Sequence, residues 1–391
     1  MSKFGGREVV IVEAVRTPVG RGHKEKGYYK DLHPSNLLAL TYKELIERAG
    51  IDPALVEDVV AGCVQQFGVQ SINIGRNGWL EAGFPIETPA TTIDRQCGSA
   101  QQAVNYAAAM IASGVHDVMV GGGVEFMSKI SFGDAAKVMG EYGFAYSPEL
   151  MEQYDLVNQG ISAEMIAEKW NISRTEMDEL AVRSHANAQR ATEEGRFDRE
   201  MIPVTVNGEV LKTDQGIRPG TSVDTLAGLK PAFKEDGNVT AGNASQVSDG
   251  AAAMLLMTRE KADELGLKPR ARILDQTAVG VDPVIMLTGP IPATRKLLER
   301  NSMTMDDIDL VEINEAFASV VLAWEKELKP DMDKVNVNGG AIAIGHPLGS
   351  TGARLMTTLL HELERTDQEI GLLTMCCGGG IGTGTLIQRI S

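Results

Sequence analysis

The stretch Leu372-Leu373-Thr374-Met375-Cys376-Cys377-Gly378-Gly379-Gly380 is an apolar run that ends in three glycines. An earlier stretch, Val118-Met119-Val120-Gly121-Gly122-Gly123, has the same form. A short apolar run bounded by turn residues is typical of a buried strand, and glycines at its end permit a tight turn or a close backbone contact. Two similar strand ends therefore lie far apart in one chain, which indicates a repeated structural unit.

The segments around these two strands recur in the same order. Each half of the chain offers a first strand, a helix, a second strand, a third strand that leads into a helix, and the strand that ends in glycines. In the first half these are residues 9–12, 34–49, 59–63, and the run before Cys97 with the helix after it. In the second half they are residues 271–274, 291–300, 310–314, 335–338 and 349–363. Alternating strands and helices predict an α/β fold of two similar halves with a mainly parallel, helix-covered sheet.

A middle segment breaks this alternation. Residues 124–245 carry helical, charge-rich sequence such as Ser162 to Trp170 and Arg174 to Gly195. We interpret this segment as an inserted domain. The predicted organisation is an N-terminal half of residues 1–123 plus 246–269, an insertion of residues 124–245, and a C-terminal half of residues 270–391.

Composition limits the classes of partner. The 391 residues carry a net charge of −16, which argues against nucleic acid or an anionic membrane as a partner because both require a basic surface. The start of the chain lacks the apolar core of a signal peptide, and no run approaches the roughly 18 apolar residues of a membrane span. Four cysteines without a C-x-x-C pair favour a reducing cytoplasm, and no Cys/His spacing predicts a metal site.

Cys97 is the first candidate for chemistry. It follows an apolar run and precedes Ala100, Ala103, Val104 and Ala107, which have the spacing of a buried helix. At a helix N-terminus the unpaired N–H groups and the helix dipole favour a thiolate, so we expect the pKa of this thiol to be lowered. A small buried apolar residue is the alternative, because free cysteines are among the most buried residues.

Three further segments place polar or reactive groups after predicted strands, where open α/β sheets bind ligands. These segments are residues 314–317, 339–349 and 376–380. Each has a structural alternative: Asn314 as a helix N-cap, His346 as a buried structural histidine, and Gly378 to Gly380 as a tight turn or a phosphate loop. The glycines around His346 favour a functional role for that histidine.

A cysteine at a helix start, a histidine in a glycine-rich loop and a second cysteine in another such loop form a nucleophile with two proton carriers. This set suits acyl transfer. A thiol is well matched to a thioester, because nucleophile and leaving group are of similar basicity.

The sequence resembles the thiolases, that is, the acetyl-CoA acetyltransferases and 3-ketoacyl-CoA thiolases. The resemblance runs from Glu13-Ala14-Val15-Arg16-Thr17-Pro18 to the C-terminus. Its most specific matches are Asn314-Glu315-Ala316-Phe317, Gly345-His346-Pro347 and Cys376-x-Gly378-Gly379-Gly380. It implies two duplicated α/β halves that form a five-layered αβαβα core, with an inserted loop domain that binds coenzyme A.

The resemblance also implies roles for individual residues. Cys97 becomes acylated, His346 helps to deprotonate it, and Cys376, rather than Cys377, acts as general acid and base. Asn314 holds a water that, with His346, forms an oxyanion hole for the thioester oxygen. The backbone N–H groups of Cys97 and Gly378 form a second hole for the tetrahedral intermediate.

Coenzyme A is implied as a co-substrate, with no permanently bound cofactor. Arg218 and Ser245 match positions near its nucleotide and pantetheine. The implied oligomer is a homodimer or a homotetramer. The implied reaction is a ping-pong cleavage of 3-ketoacyl-CoA to acetyl-CoA and a shortened acyl-CoA.

One departure bears on the substrate. Short-chain acetoacetyl-CoA thiolases show His-Met-Gly where this chain has Asn158-Gln159-Gly160. We therefore expect a degradative enzyme for longer or bulkier substrates, such as fatty or sterol side-chain acids. The alternatives are a biosynthetic acetoacetyl-CoA thiolase, a decarboxylating ketoacyl synthase on the same fold, and a non-catalytic acyl-CoA-binding protein.

Overall fold

A computed structural model describes residues 6–390. Its strands are β1 Val9–Arg16, β2 Gly20–Arg21, β3 Asp58–Gly62, β4 Ala90–Ile93, β5 Val118–Phe126, β6 Val204–Val206, β7 Glu209–Leu211, β8 Ser248–Thr258, β9 Ala271–Gly280, β10 Leu310–Ile313, β11 Ile370–Cys377 and β12 Ile381–Arg389. Its helices are α1 Pro34–Ala49, α2 Ile74–Glu81, α3 Ser99–Ala112, α4 Phe132–Tyr142, α5 Pro148–Gln153, α6 Gln159–Lys169, α7 Arg174–Glu193, α8 Val223–Ala227, α9 Arg259–Glu264, α10 Pro290–Asn301, α11 Ala318–Leu328 and α12 Thr351–Thr366.

The large sheet has the strand order β10-β11-β12-β9-β1-β8-β5-β3-β4, with β2 paired to β8. Read outward from the centre, β1, β8, β5 and β3 mirror β9, β12, β11 and β10. The two groups meet through only two residue pairs, Val10 with Arg272 and Ile11 with Ala271. The repeated order of the sequence therefore appears as two matching sets of strands.

The prediction of a mainly parallel sheet is wrong. The pairs β3–β4, β3–β5 and β10–β11 are parallel, whereas β8 and β12 run antiparallel to their neighbours. For β12 the reason is the length of its connection to β11. Only Gly378 to Gly380 separate β11 from β12, and so short a turn can join only antiparallel strands because a parallel pair needs a crossover of a dozen or more residues.

The layers follow from the alternation of side chains along the strands. Val10 and Val12 of β1 pack in the apolar cluster that contains α1, whereas Val9 and Ile11 pack in the cluster that contains α3 and α12. On the other side, Leu372 of β11 packs with α10 and α11. The order is thus helices, strands, α3 with α12, strands, helices, which is the expected five-layered αβαβα arrangement.

The predicted helix of residues 34–49 has those bounds in the structure, and α10 and α12 begin and end within a few residues of the predicted ones. A strand at residues 335–338 is not formed, because Val335 makes only an isolated bridge to Val311. The interrupting segment holds α4 to α8 and the β6–β7 hairpin. The division of the chain at residues 123, 245 and 269 stays a prediction.

No helix within residues 6–390 is long and apolar enough to cross a membrane.

Candidate active site

Cys97 lies in the turn between β4 and α3. Gly98 is the N-cap of α3, so the cysteine precedes the helix by two residues, as predicted. Gln96 has a φ of 49°, a left-handed conformation that costs energy for a residue with a side chain. Ser99 holds the turn, since its hydroxyl accepts from the Arg95 N–H at 2.8 Å and donates to the Gln96 carbonyl at 2.6 Å. The strained turn presents the sulfur at the end of the sheet.

The prediction of a lowered thiol pKa is wrong. The backbone N–H groups of Gly378 and of Cys97 itself favour the thiolate and lower the pKa, but burial is the larger effect and raises the pKa of Cys97 to about 12. The residue is only 3% exposed, and a thiolate there loses its hydration. Cys97 is therefore a neutral thiol, which would need a base to act as a nucleophile.

Cys376 and Cys377 both lie at the end of β11 and interact electrostatically with Cys97. Burial is the main reason that the pKa of each thiol is raised. They differ in their partners: Cys377 is hydrogen-bonded to the Gly98 N–H and the Thr383 hydroxyl, whereas the hydrogen bond at Cys376 comes from its own backbone. The thiol of Cys376 therefore takes part in fewer structural hydrogen bonds than that of Cys377. All four cysteines of the chain are free and buried.

Asn314 follows β10 directly and is completely buried. Its backbone N–H donates to the carbonyl of Thr374 at 3.1 Å. Thr374 lies on β11 two residues before Cys376, so this bond holds Asn314 beside the end of β11. Its side-chain Nδ2 lies 3.3 Å from Nε2 of His346. Its Oδ1 is buried with no hydrogen-bond partner within residues 6–390. A buried carbonyl oxygen of this kind has the capacity to hold a water or a substrate donor.

Asn336, which sequence reasoning missed, holds the residues on both sides of Asn314. The amide of Asn336 accepts from the Ile313 N–H and donates to the Ile313 carbonyl, both at 2.9 Å, as a neighbouring strand would. Asn336 also donates to Glu315 at 2.9 Å. Its left-handed φ of 47° ends the predicted strand and turns the amide toward β10. An asparagine that tolerates such a φ is the only sequence signal for this role.

His346 lies in the loop before α12 and is also buried. Its Nδ1 lies 2.7 Å from Oγ1 of Thr351, and its N–H donates to the Gln246 carbonyl at 3.0 Å. Burial, with a smaller contribution from the positive charge of Arg354, lowers the pKa of His346 to about 3. The imidazole is therefore neutral at physiological pH and is able to accept a proton.

Glycines bring the two halves together at this loop. A Cβ on Gly123 of β5 would lie 2.0 Å from the carbonyl oxygen of Gly349, and one on Gly62 of β3 would lie 2.6 Å from the same oxygen. No larger residue fits at either place. Beside them, the buried Glu125 carboxylate accepts from the N–H groups of Gly349 at 2.9 Å and Val64 at 2.8 Å. The loop that carries His346 is thereby held against the half that carries Cys97.

Gly378 lies between two glutamine side chains. A Cβ on Gly378 would lie 2.8 Å from Nε2 of Gln159 and 3.2 Å from Oε1 of Gln96. Gln159 is the first residue of α6 and belongs to the segment that departs from the short-chain pattern. The structure therefore places that departure next to the reacting groups.

The two predicted coenzyme A contacts lie in different places. The Ser245 N–H donates to the Ala316 carbonyl at 2.9 Å, so Ser245 borders the Asn314 loop. Arg218 is exposed on the loop between β7 and α8, where its N–H donates to Nδ1 of His185 at 3.2 Å. Burial, with the charge of Arg218, lowers the pKa of His185 to about 4. Of these two residues, only Ser245 lies next to the loop that carries Asn314.

Within residues 6–390 no group of three or more His, Cys, Asp or Glu side chains is arranged to hold a metal ion. The site instead offers two buried thiols, a neutral imidazole and backbone N–H groups at the nucleophile. This combination suits acyl transfer through a cysteine.

The chain belongs to the thiolase family. The sequence model of the thiolase N-terminal domain matches residues 9–260, and that of the thiolase C-terminal domain matches residues 267–389. A steroid 3-ketoacyl-CoA thiolase of Mycobacterium tuberculosis is 49% identical over 98% of this chain and 94% of its own length. A 3-ketoacyl-CoA thiolase of Bacillus subtilis is 42% identical over 98% and 99%.

A solved structure of a related enzyme has the same fold. The crystal structure of the Bacillus anthracis acetyl-CoA acetyltransferase superimposes with a TM-score of 0.89 at 41% identity, covering 98% of this chain and 99% of that one. The expectations of a thiolase fold and of an acyltransferase are therefore confirmed. The family match also favours a thiolase over a ketoacyl synthase or a non-catalytic binding protein.

Proposed function

We propose that this protein is a degradative 3-ketoacyl-CoA thiolase in which Cys97 carries the acyl group. One observation carries the proposal: the backbone N–H groups of Cys97 and Gly378 both act on the Cys97 sulfur and lower the pKa of its thiol. After the sulfur attacks a carbonyl, the oxyanion forms next to that sulfur, within reach of the same two donors. Losing one such donor typically costs about 10²- to 10³-fold in rate.

The first step needs a base, because the resting thiol is neutral. His346 is neutral as well, and its Nε2 lies next to Asn314 in the same buried group. We assign to it the removal of the Cys97 proton as the sulfur attacks the 3-keto carbonyl. Proton transfer from a neutral thiol to a neutral imidazole creates charge only while the substrate is being attacked.

Cleavage of the C–C bond leaves the shortened acyl group on Cys97 and releases the enolate of acetyl-CoA. We assign to Cys376 the donation of its thiol proton to that enolate, which completes acetyl-CoA and leaves Cys376 as a thiolate. The unpartnered Oδ1 of Asn314 supports a water at this place, which with His346 would stabilise the enolate oxygen. Free coenzyme A then transfers its thiol proton to Cys376, and its sulfur takes the acyl group from Cys97. The released Cys97 sulfur takes back the proton that His346 holds.

The proposed substrates are 3-ketoacyl-CoA esters longer or bulkier than acetoacetyl-CoA. Gln159 beside Gly378 supports this choice, since the segment departs from the short-chain pattern at the reacting centre. The name of the Mycobacterium tuberculosis relative, a steroid 3-ketoacyl-CoA thiolase, points in the same direction. The relative from Syntrophomonas wolfei named acetyl-CoA acetyltransferase, at 43% identity, keeps the biosynthetic alternative in the test.

The test is a series of 3-ketoacyl-CoA esters from acetoacetyl-CoA to a sterol-derived ester, each assayed with and without free coenzyme A. We expect turnover only with coenzyme A, and a higher kcat/KM for the longer or sterol-derived esters. Preference for acetoacetyl-CoA would support the biosynthetic alternative. Release of carbon dioxide without a need for free coenzyme A would contradict a thiolase reaction.

The exposed Arg218 is proposed to bind the charged nucleotide part of coenzyme A. We expect Arg218→Ala to raise the KM for coenzyme A roughly 3- to 10-fold with little change in kcat, because a surface charge contributes to binding but not to the chemical step. Pantetheine lacks the nucleotide, so the variant and the native enzyme should use it equally well. Lys212→Ala, which removes another positive charge from the inserted segment, is the matched control; an equal rise in KM there would contradict a specific contact.

The proposal includes a homodimer or homotetramer in the cytoplasm, with coenzyme A as co-substrate and no permanently bound cofactor. The free state of all four cysteines supports a reducing compartment. Light scattering of the purified protein tests the oligomer.

A further inference from the structure

A second hydrogen-bonding group touches the ring of His346 on the side away from Asn314. Oγ1 of Thr351 lies 2.7 Å from Nδ1 of His346 and 2.8 Å from the carbonyl oxygen of Pro347. Thr351 is completely buried. Both contacts are short enough to need a hydrogen between the two heavy atoms.

A hydroxyl has one proton, and a carbonyl oxygen only accepts. The contact with Pro347 therefore takes the Thr351 proton, and the contact with His346 needs a proton on Nδ1. If the hydroxyl instead donated to Nδ1, its oxygen and the buried Pro347 oxygen would face each other at 2.8 Å without a hydrogen between them. The geometry of Thr351 admits only the Nδ1–H form without that penalty.

The contact on the other side of the His346 ring, with Asn314, also places the ring proton on Nδ1. Nδ2 of Asn314 lies 3.3 Å from Nε2 of His346, and an amide nitrogen only donates, so Nε2 is the acceptor. A neutral imidazole has a single ring proton. With that proton on Nδ1, Nε2 keeps the lone pair that a base requires.

We propose that Thr351 is a positioning residue that holds His346 in the Nδ1–H tautomer. The lone pair of Nε2, which in the resting protein accepts, within residues 6–390, only the 3.3 Å contact from Asn314, takes the thiol proton in the reaction. In the proton transfer the S–H bond of Cys97 breaks and an Nε2–H bond forms, while Nδ1–H stays bonded to Thr351. The inference rests on the proposed role of His346 as the base of the reaction.

Thr351 is well placed to keep this geometry. It is the first residue of α12, and α12 packs against α3 so closely that a Cβ on Gly352 would lie 2.3 Å from the Gln101 nitrogen. The N-termini of α12 and α3 are thereby locked together. α12 carries Thr351, the partner of His346, and α3 follows Cys97.

The test compares Thr351→Val, which keeps the shape and loses the hydroxyl, with Thr351→Ser, which keeps the hydroxyl. We expect the valine variant to lose about 10²-fold or more in kcat, with the KM for coenzyme A within about threefold, and the serine variant to stay within about threefold of the native kcat. Native activity in the valine variant, or an equal loss in both variants, would overturn the proposal.

A spectroscopic measurement needs no turnover and so separates this inference from the thiolase assignment. In protein labelled with ¹⁵N-histidine, two-bond ¹H–¹⁵N correlations distinguish Nδ1–H from Nε2–H imidazole, and the His346→Asn spectrum identifies the signal. We expect Nδ1–H in the native protein and a gain of Nε2–H in Thr351→Val. An Nε2–H signal in the native protein would overturn the proposal even if no variant folds.

Discussion

Cys97→Ser is expected to lower kcat for thiolysis by roughly 10⁴-fold, because a hydroxyl is a far weaker nucleophile than a thiol and the acyl group then has no sulfur to occupy. Serine is nearly the same size, so the buried turn should keep its shape. Intact-protein mass spectrometry after incubation with a 3-ketoacyl-CoA, without free coenzyme A, should show one added acyl group on the native enzyme and none on the variant.

The matched control is Cys63→Ser. Cys63 is equally buried, but its sulfur lies 3.9 Å from Glu125 and it has no place in the proposed chemistry. This variant should keep the acyl adduct and most of the activity. An adduct that survives in Cys97→Ser, or disappears in Cys63→Ser, would assign the nucleophile to another residue.

His346→Asn is expected to change the pH dependence of Cys97 as well as its rate. In the native protein the pKa of the thiol is about 12 and that of the imidazole about 3, so neither group changes protonation between about pH 5 and pH 9. Alkylation of Cys97 by iodoacetamide, assisted by the imidazole, should therefore be independent of pH over that range. Without the imidazole only free thiolate reacts, so the rate should fall about 10²-fold at pH 7 and rise about tenfold for each pH unit.

His361→Asn is the control for this experiment. His361 is also a buried histidine whose pKa is lowered by burial, but it lies on α12 and is hydrogen-bonded to the Thr357 carbonyl. Its variant should show the flat native profile. A break near pH 6.5 in the native protein would show that His346 titrates like an exposed histidine, and a flat profile in His346→Asn would remove it as the base.

Much of the fold was predictable because its patterns are local. The 3.6-residue spacing of α1 and the apolar run of β5 determine those elements from neighbouring residues alone. β8 was not predicted: Ser248 to Met257 holds alanine, leucine and methionine with no β-branched residue, a composition that does not distinguish a strand from a helix. Its strand form comes from pairing with β1 and β5, which are distant in the chain.

In the candidate site, too, the features set by neighbouring residues were predictable and those set by distant residues were not. The place of Cys97 before a helix was predictable from the sequence that follows it. The raised pKa of its thiol was not, because burial by the Cys376 and His346 loops outweighs the local N–H groups. Asn336 and Thr351 were also missed. Asn336 acts on Ile313 and Glu315, which only the tertiary fold brings near it, and the role of Thr351 depends on the orientation of a histidine ring in the preceding loop.

The pairing of α3 with α12 in the middle layer has a consequence for the way this protein is made. Each helix comes from a different half, and together they form the central apolar cluster between the two sets of strands. Ribosomes release α3 long before α12 has been translated. The nascent N-terminal portion therefore exposes an apolar face of α3 until α12 has been translated. His346, the proposed base for Cys97, is added only when synthesis is nearly complete.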